Sequence, residues 1–92
     1  MYLEIITPDQ ILYQGEISSI TVPGKSGSFQ ILKNHAPIVS SLKSGTISVN
    51  GEFQENTMHE KINFINNTSF ELKVLTGTIE MSNNKITLLS EL

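Results

Sequence analysis

The chain contains no cysteine and no tryptophan, and all six of its basic residues are lysines, so arginine is absent too. Without cysteine there is no disulfide framework, no thiolate nucleophile and no thiolate metal ligand, which leans toward an intracellular setting. Arginine supplies the bidentate contacts to guanine and phosphate that nucleic-acid binders favour. With that residue missing and a net charge of −3, no nucleic-acid partner is expected. No apolar run approaches the roughly 20 residues needed to span a bilayer. The opening Met1-Tyr2-Leu3-Glu4-Ile5-Ile6 has no positive stretch, so neither a signal peptide nor a transit peptide is expected. At 92 residues the chain reads as one domain, residues 1–92. A chain this short buries only about 60–65% of its unfolded surface, which leaves little core to give up to a deep substrate cavity.

What is present is a period of two. Phe70, Leu72 and Val74 alternate with Glu71 and Lys73. The same alternation marks Ile47/Val49, Ile62/Phe64, Ile79/Met81 and Ile86/Leu88, the pattern of half-buried strands. Between Ile17 and Ile20 the phase slips by one, and a β-bulge near Ser18-Ser19 would keep Ile17, Ile20 and Val22 facing inward. Turn signals separate the runs: Pro8-Asp9, Pro23-Gly24, Asn50-Gly51, Asn66-Asn67 and Asn83-Asn84. Asn50-Gly51 predicts a type I′ hairpin, because that turn needs positive φ at both central residues. No segment sustains a helical period, so no helix longer than one turn is expected. Short strands with frequent turns predict an all-β, antiparallel sandwich or barrel.

Few residues suggest chemistry. Gly24-Lys25-Ser26 has the ending of a phosphate-binding loop, but Ser19 stands where the motif needs its first glycine. The sequel Gly27-Ser28-Phe29-Gln30-Ile31 reads as a strand, not as the helix whose N-terminus would hold phosphate. A tight turn over Pro23 to Gly27 and no nucleotide binding are therefore expected. The two histidines, His35 and His59, lie in different strand regions with no second ligand at metal spacing. His59 is read as part of a solvated strand face. His35 would be a general base only beside a nucleophile and an orienting acid, and no acid lies near it in sequence. Carboxylates are scattered singly, with no pair placed for acid–base work. Asn66-Asn67-Thr68 and Asn67-Thr68-Ser69 match the glycosylation acceptor pattern but read as a hairpin turn. No metal and no cofactor are expected. Charge is uneven: between Glu16 and Glu52 there is no acid, while Lys25, Lys33 and Lys43 fall there. Two readings stand: scatter, or a surface that meets an acidic or polar partner.

Three stretches carry a family resemblance. "LEIITPDQILYQGEISSITVPG", "GSFQILKNHAPIVSSLKSG" and "VLTGTIEM…ITLL" resemble, in order and spacing, the epsilon subunit of the bacterial rotary F-type ATP synthase. The second holds the most specific part, the His35-Ala36-Pro37 corner framed by Gly27 and Gly45. Thr76 departs from the pattern, since the family often has a second glycine before Gly77. The resemblance implies a flattened antiparallel β-sandwich of about ten short strands, with no C-terminal helices within these residues. Family members usually continue into a two-helix hairpin that carries ATP-sensing and inhibitory elements; no position here corresponds to it, so those roles are not carried over and no inhibitory switch is expected.

The resemblance further implies a non-catalytic rotor subunit at the foot of the central stalk. It would lie against the gamma subunit and the c-ring, peripheral to the cytoplasmic side of the bacterial plasma membrane. Lys25, Ser26, Ser28, Lys33, Asn34, His35, Ala36 and Pro37 become the expected partner-binding residues. Gly27, Gly45 and Gly77 are read as structural, and at Gly45 and Gly77 a Cβ is expected to obstruct a backbone conformation or a close approach. Pro37 fixes its own φ and drives Ala36 to an extended conformation. Two other classes remain open: a free-standing β-sandwich binding module, for which exposed aromatics are few, and a small hydrolase using His35, for which partner residues are missing.

Overall fold

The computed structural model describes residues 1–53 and 61–92, and within them there are ten strands and no helix. In chain order they are β1 (Tyr2–Ile6), β2 (Ile11–Glu16), β3 (Ser19–Gly24), β4 (Gly27–Leu32) and β5 (Ile38–Leu42). Then come β6 (Gly45–Asn50), β7 (Asn63–Asn66), β8 (Ser69–Val74), β9 (Thr76–Ser82) and β10 (Lys85–Glu91). They form one continuous sheet in the order β2-β1-β10-β9-β5-β3-β6-β8-β7, with β4 on the other side of β3.

The sheet folds on itself at a weak seam. β5 meets β3 through a single residue pair, Gly24 opposite Leu42. Two backbone bonds extend that contact, Lys25 N–H to the Ser41 carbonyl (3.1 Å) and Lys43 N–H to the Pro23 carbonyl (2.9 Å). On either side of the seam lie two layers, β2-β1-β10-β9-β5 and β4-β3-β6-β8-β7. Their inward residues make one core in which Leu3, Ile5, Ile20, Ile31, Ile47, Phe70, Ile79 and Leu88 are fully buried. The alternation read from the sequence sets these faces, since a strand's side chains point to opposite sides in turn. At one end Tyr13, Phe53, Phe64 and Phe70 close the core edge to face, with Phe53 and Phe70 centroids 5.0 Å apart. Most of the aromatic surface is thus spent on packing.

Three local expectations resolve differently. The phase slip at Ile17 is not a bulge inside one strand. β2 ends at Glu16 and β3 starts at Ser19, and the chain crosses between layers there. Ile17, Ile20 and Val22 are all buried, as the pattern requires, but on both sides of a crossing.

Asn50-Gly51 does not form a type I′ turn; neither residue has positive φ. Asn50 instead stands mid-sheet, opposite Ser19 of β3 and Ser69 of β8, with its amide donating to Ser19 Oγ at 3.1 Å. Gly51 N–H continues the ladder to the Thr68 carbonyl at 2.9 Å. Pairing on both sides outweighs the local turn preference. The I′ signature sits at Asn83 (φ 51°) and Asn84 (φ 58°), joining β9 to β10.

Finally, one pairing in the sheet is parallel: β1 lies beside β10, Leu3 opposite Ile86 and Ile5 opposite Leu88. A parallel pair needs a long crossover, and here the remainder of the chain provides it. The Asn66-Asn67 signal is a hairpin turn as read, with Asn66 Oδ1 accepting from Thr68 N–H at 2.8 Å.

Candidate docking surface

The partner-binding residues expected from sequence fall at the two ends of β4. At one end is the β3–β4 hairpin tip. Gly24 pairs with Gly27, and Lys25-Ser26 make the exposed turn. Neither turn residue has positive φ; Gly27 takes that burden at φ 129°, a conformation costly for any residue with a Cβ. β4 then runs on as a strand, so the lysine does not precede a helix. Ser28 is exposed on β4, opposite Pro23.

The other end is the turn after Leu32. His35 N–H donates to the Leu32 carbonyl (3.1 Å), and Asn34 sits at φ 66°. Lys33, Asn34, His35, Ala36 and Pro37 are all exposed. The His35 ring Nδ1 lies 2.7 Å from the Ala36 carbonyl oxygen, a geometry in which that nitrogen carries the proton and donates. This ties the ring to the backbone of the exposed corner.

A residue that the sequence marked only as part of a turn holds this corner. Asn84, in the β9–β10 turn, accepts from Asn34 N–H through Oδ1 at 2.7 Å and donates to Asn34 Oδ1 through Nδ2 at 2.9 Å. Two left-handed asparagines fifty positions apart thus bond reciprocally. The sequence signal was the turn dipeptide alone; the contact arises because β5 and β9 pair, bringing Ile38 opposite Met81.

Glycines crowd the first end instead. A Cβ on Gly77 would stand 2.7 Å from the Leu89 carbonyl oxygen, closer than such atoms approach. A Cβ on Gly45 would meet Pro23 Cβ at 2.9 Å, on the strand whose tip carries Lys25.

The described residues hold no group of three or more His, Cys, Asp or Glu able to bind a metal. His59 lies outside them. A groove of about 400 Å³ is lined by Ile6, Pro8, Gly77, Leu89 and Glu91 among others and brings one carboxylate and no histidine. Apolar exposure is dispersed: Leu32 on β4 and Val39 on β5 are 53% and 71% exposed.

The arrangement defines a class, an all-β sandwich whose exposed polar turns flank an edge strand. The family model for the β-sandwich domain of the ATP synthase delta/epsilon chain matches residues 1–91, and the chain belongs to that family. It is 34% identical to the ATP synthase epsilon chain of Chlorobaculum tepidum over 89 residues, 97% of this chain and 86% of that one. Against the epsilon chain of Campylobacter jejuni it is 56% identical over 46 residues, 50% of this chain and only 36% of that protein's length. The fold is similar to a chain in the central stalk and c-ring structure of the Tetrahymena thermophila mitochondrial ATP synthase. The TM-score is 0.74 at 14% identity, over 98% of this chain and 62% of that one.

Proposed function

We propose that this chain is a structural, non-catalytic subunit of the rotor of an F-type ATP synthase. It acts as one folded unit over residues 1–92, joining the gamma subunit to the c-ring while proton or sodium flow drives ATP synthesis. The observation that carries this is family membership across residues 1–91. The surface fits the role. Lys25, Ser26 and Ser28 at one end of β4, and Lys33 to Pro37 at the other, are exposed and polar or small. Polar loops meeting polar loops make a wet interface in which charge tunes encounter more than strength. The His35 ring is tied to a backbone carbonyl, which suits shape better than proton transfer. Among the described residues no helix is long and apolar enough to cross a membrane; the complex would hold this subunit peripherally, on the cytoplasmic side of a bacterial plasma membrane. No cofactor, nucleotide or nucleic acid enters the reading.

Co-purification tests it. A tagged chain expressed in its own cells should bring down gamma and the c-ring from detergent-solubilised membranes. Recovery without either subunit overturns the reading. Calorimetry on the isolated chain should show no ATP binding, and micromolar binding would contradict the non-nucleotide part.

A further inference from the structure

Three strands pair on one side only among the described residues: β2, β7 and β4. Free edges invite pairing with other chains, and proteins blunt them with bulges, charges, proline or short length. β2 has a register shift against β1 and ends in Glu16. β7 has four residues and its own register shift. β4 has none of these devices. Its six residues, GSFQIL, carry no charge and no proline, and its register against β3 is unbroken from Gly27 to Leu32.

The register says which backbone groups face outward. Pro23 has no N–H, and its carbonyl accepts from Lys43 on the side of β3 away from β4. Ser28, opposite Pro23, therefore turns its own N–H and C=O toward the open edge. Antiparallel ladders alternate, so Gln30 and Leu32 do the same. The Leu32 carbonyl is taken by His35 N–H. That leaves three N–H groups, on Ser28, Gln30 and Leu32, and two carbonyls, on Ser28 and Gln30, with no partner in the ladder. Lys25 lies just before the strand and Lys33 just after it, and no acid occurs between Glu16 and Glu52.

We propose that the β4 edge is a strand-addition site. Its occupant is an extended segment of the protein this subunit docks on, about six residues long, with acidic side chains at both ends to meet Lys25 and Lys33. Backbone bonds to Ser28, Gln30 and Leu32 supply the affinity, and the end charges set the register. The proposal rests on the rotor-subunit reading and adds the mode of docking.

Amide hydrogen exchange tests it on the wild-type chain, free and within the purified synthase, with amides read after quenching and dissociation. In the free chain Ser28, Gln30 and Leu32 should exchange fast while Phe29 and Ile31 are slow. In the complex the three should slow by about a hundredfold or more, as paired strand amides do. If the chain is present in the complex and the three stay fast, strand addition is wrong while the rotor reading stands. If the chain is absent from the complex, the rotor reading falls and takes this inference with it. Concentration-dependent protection in the isolated chain, with none added in the complex, would assign the edge to a second copy and overturn the proposal. A variant gives the second arm. Gln30→Pro removes one outward N–H and no bond to β3, so it should keep a cooperative melting curve yet lower recovery with the synthase about tenfold; Gln30→Ala should leave recovery unchanged. Equal recovery of two folded variants would count against the site.

Discussion

The two ends of β4 are fastened by different means. At the hairpin tip the chain is held by main chain against main chain: Gly24 opposite Leu42, Lys25 N–H on Ser41, Lys43 N–H on Pro23. Close approach there depends on missing side chains, at Gly45 beneath Pro23 and at Gly77 beneath the Leu89 carbonyl. At the His35 corner the fastening is the Asn84 side chain, which accepts from the Asn34 backbone N–H and donates to the Asn34 side-chain oxygen. The first end tolerates almost any exposed side chain but no added Cβ at its glycines. The second is tuned by residues that can be removed one at a time. The proposed docking surface therefore has one end set by backbone contacts and one set by side chains.

The largest effect should come from breaking the backbone end. Gly77→Val forces a branched side chain onto the Leu89 carbonyl and should cost about 2–3 kcal/mol, lowering the melting temperature by about 10 °C or more. A thermal scan that matches wild type would show that β9 and β10 can separate there without loss.

Next, Asn84→Ala removes the corner's tie and places alanine at positive φ, for a cost of about 1–2 kcal/mol. Asn84→Gly keeps the backbone but not the tie. It should recover most of the stability while leaving the Lys33–His35 amides as exchangeable as in the alanine variant. If glycine restores both stability and protection, the side-chain tie does nothing for the corner.

At the level of assembly, Ala36→Glu adds charge and bulk at an exposed corner. It should reduce recovery with gamma and the c-ring about tenfold with no change in melting. Lys33→Glu should reduce it about two- to threefold, and only at low salt, because exposed charges are screened. Reversal of that order would mean that charge, not shape, governs the corner.

The smallest effect lies away from both ends. Burial, followed by the nearby Tyr2 and Glu16, pushes the Tyr13 hydroxyl above its ordinary value. The folded state therefore holds that proton more tightly than the unfolded chain does. Its contribution is complete below about pH 10 and is lost as pH rises through the folded value. Melting temperature should decline above about pH 10, and Tyr13→Phe should flatten that decline. An equal decline in both proteins would assign it elsewhere.

The period of two was enough to determine which residues face the core, because each strand's alternation is a local property. Phe70, Leu72 and Val74, or Ile86 and Leu88, are buried where the pattern puts them. The Lys25-Ser26 turn was equally legible, since a failed phosphate loop followed by a strand leaves only a hairpin. The His35-Ala36-Pro37 corner could be placed on the surface, but its tie to Asn84 could not be read. Side-chain bonds between distant turns depend on which strands pair, and that is decided by the whole core. The same reason explains Asn50-Gly51 and Asn83-Asn84. Both dipeptides favour a type I′ turn, yet only the second lies where β9 and β10 need one; the first is paired on both sides by β3 and β8. Chain crossing at Ile17, the parallel β1–β10 pair and the bare edge of β4 belong with these. Each depends on where a strand's neighbours are, and hydrogen-bond partners across a sheet leave no mark in the residues that a single strand displays.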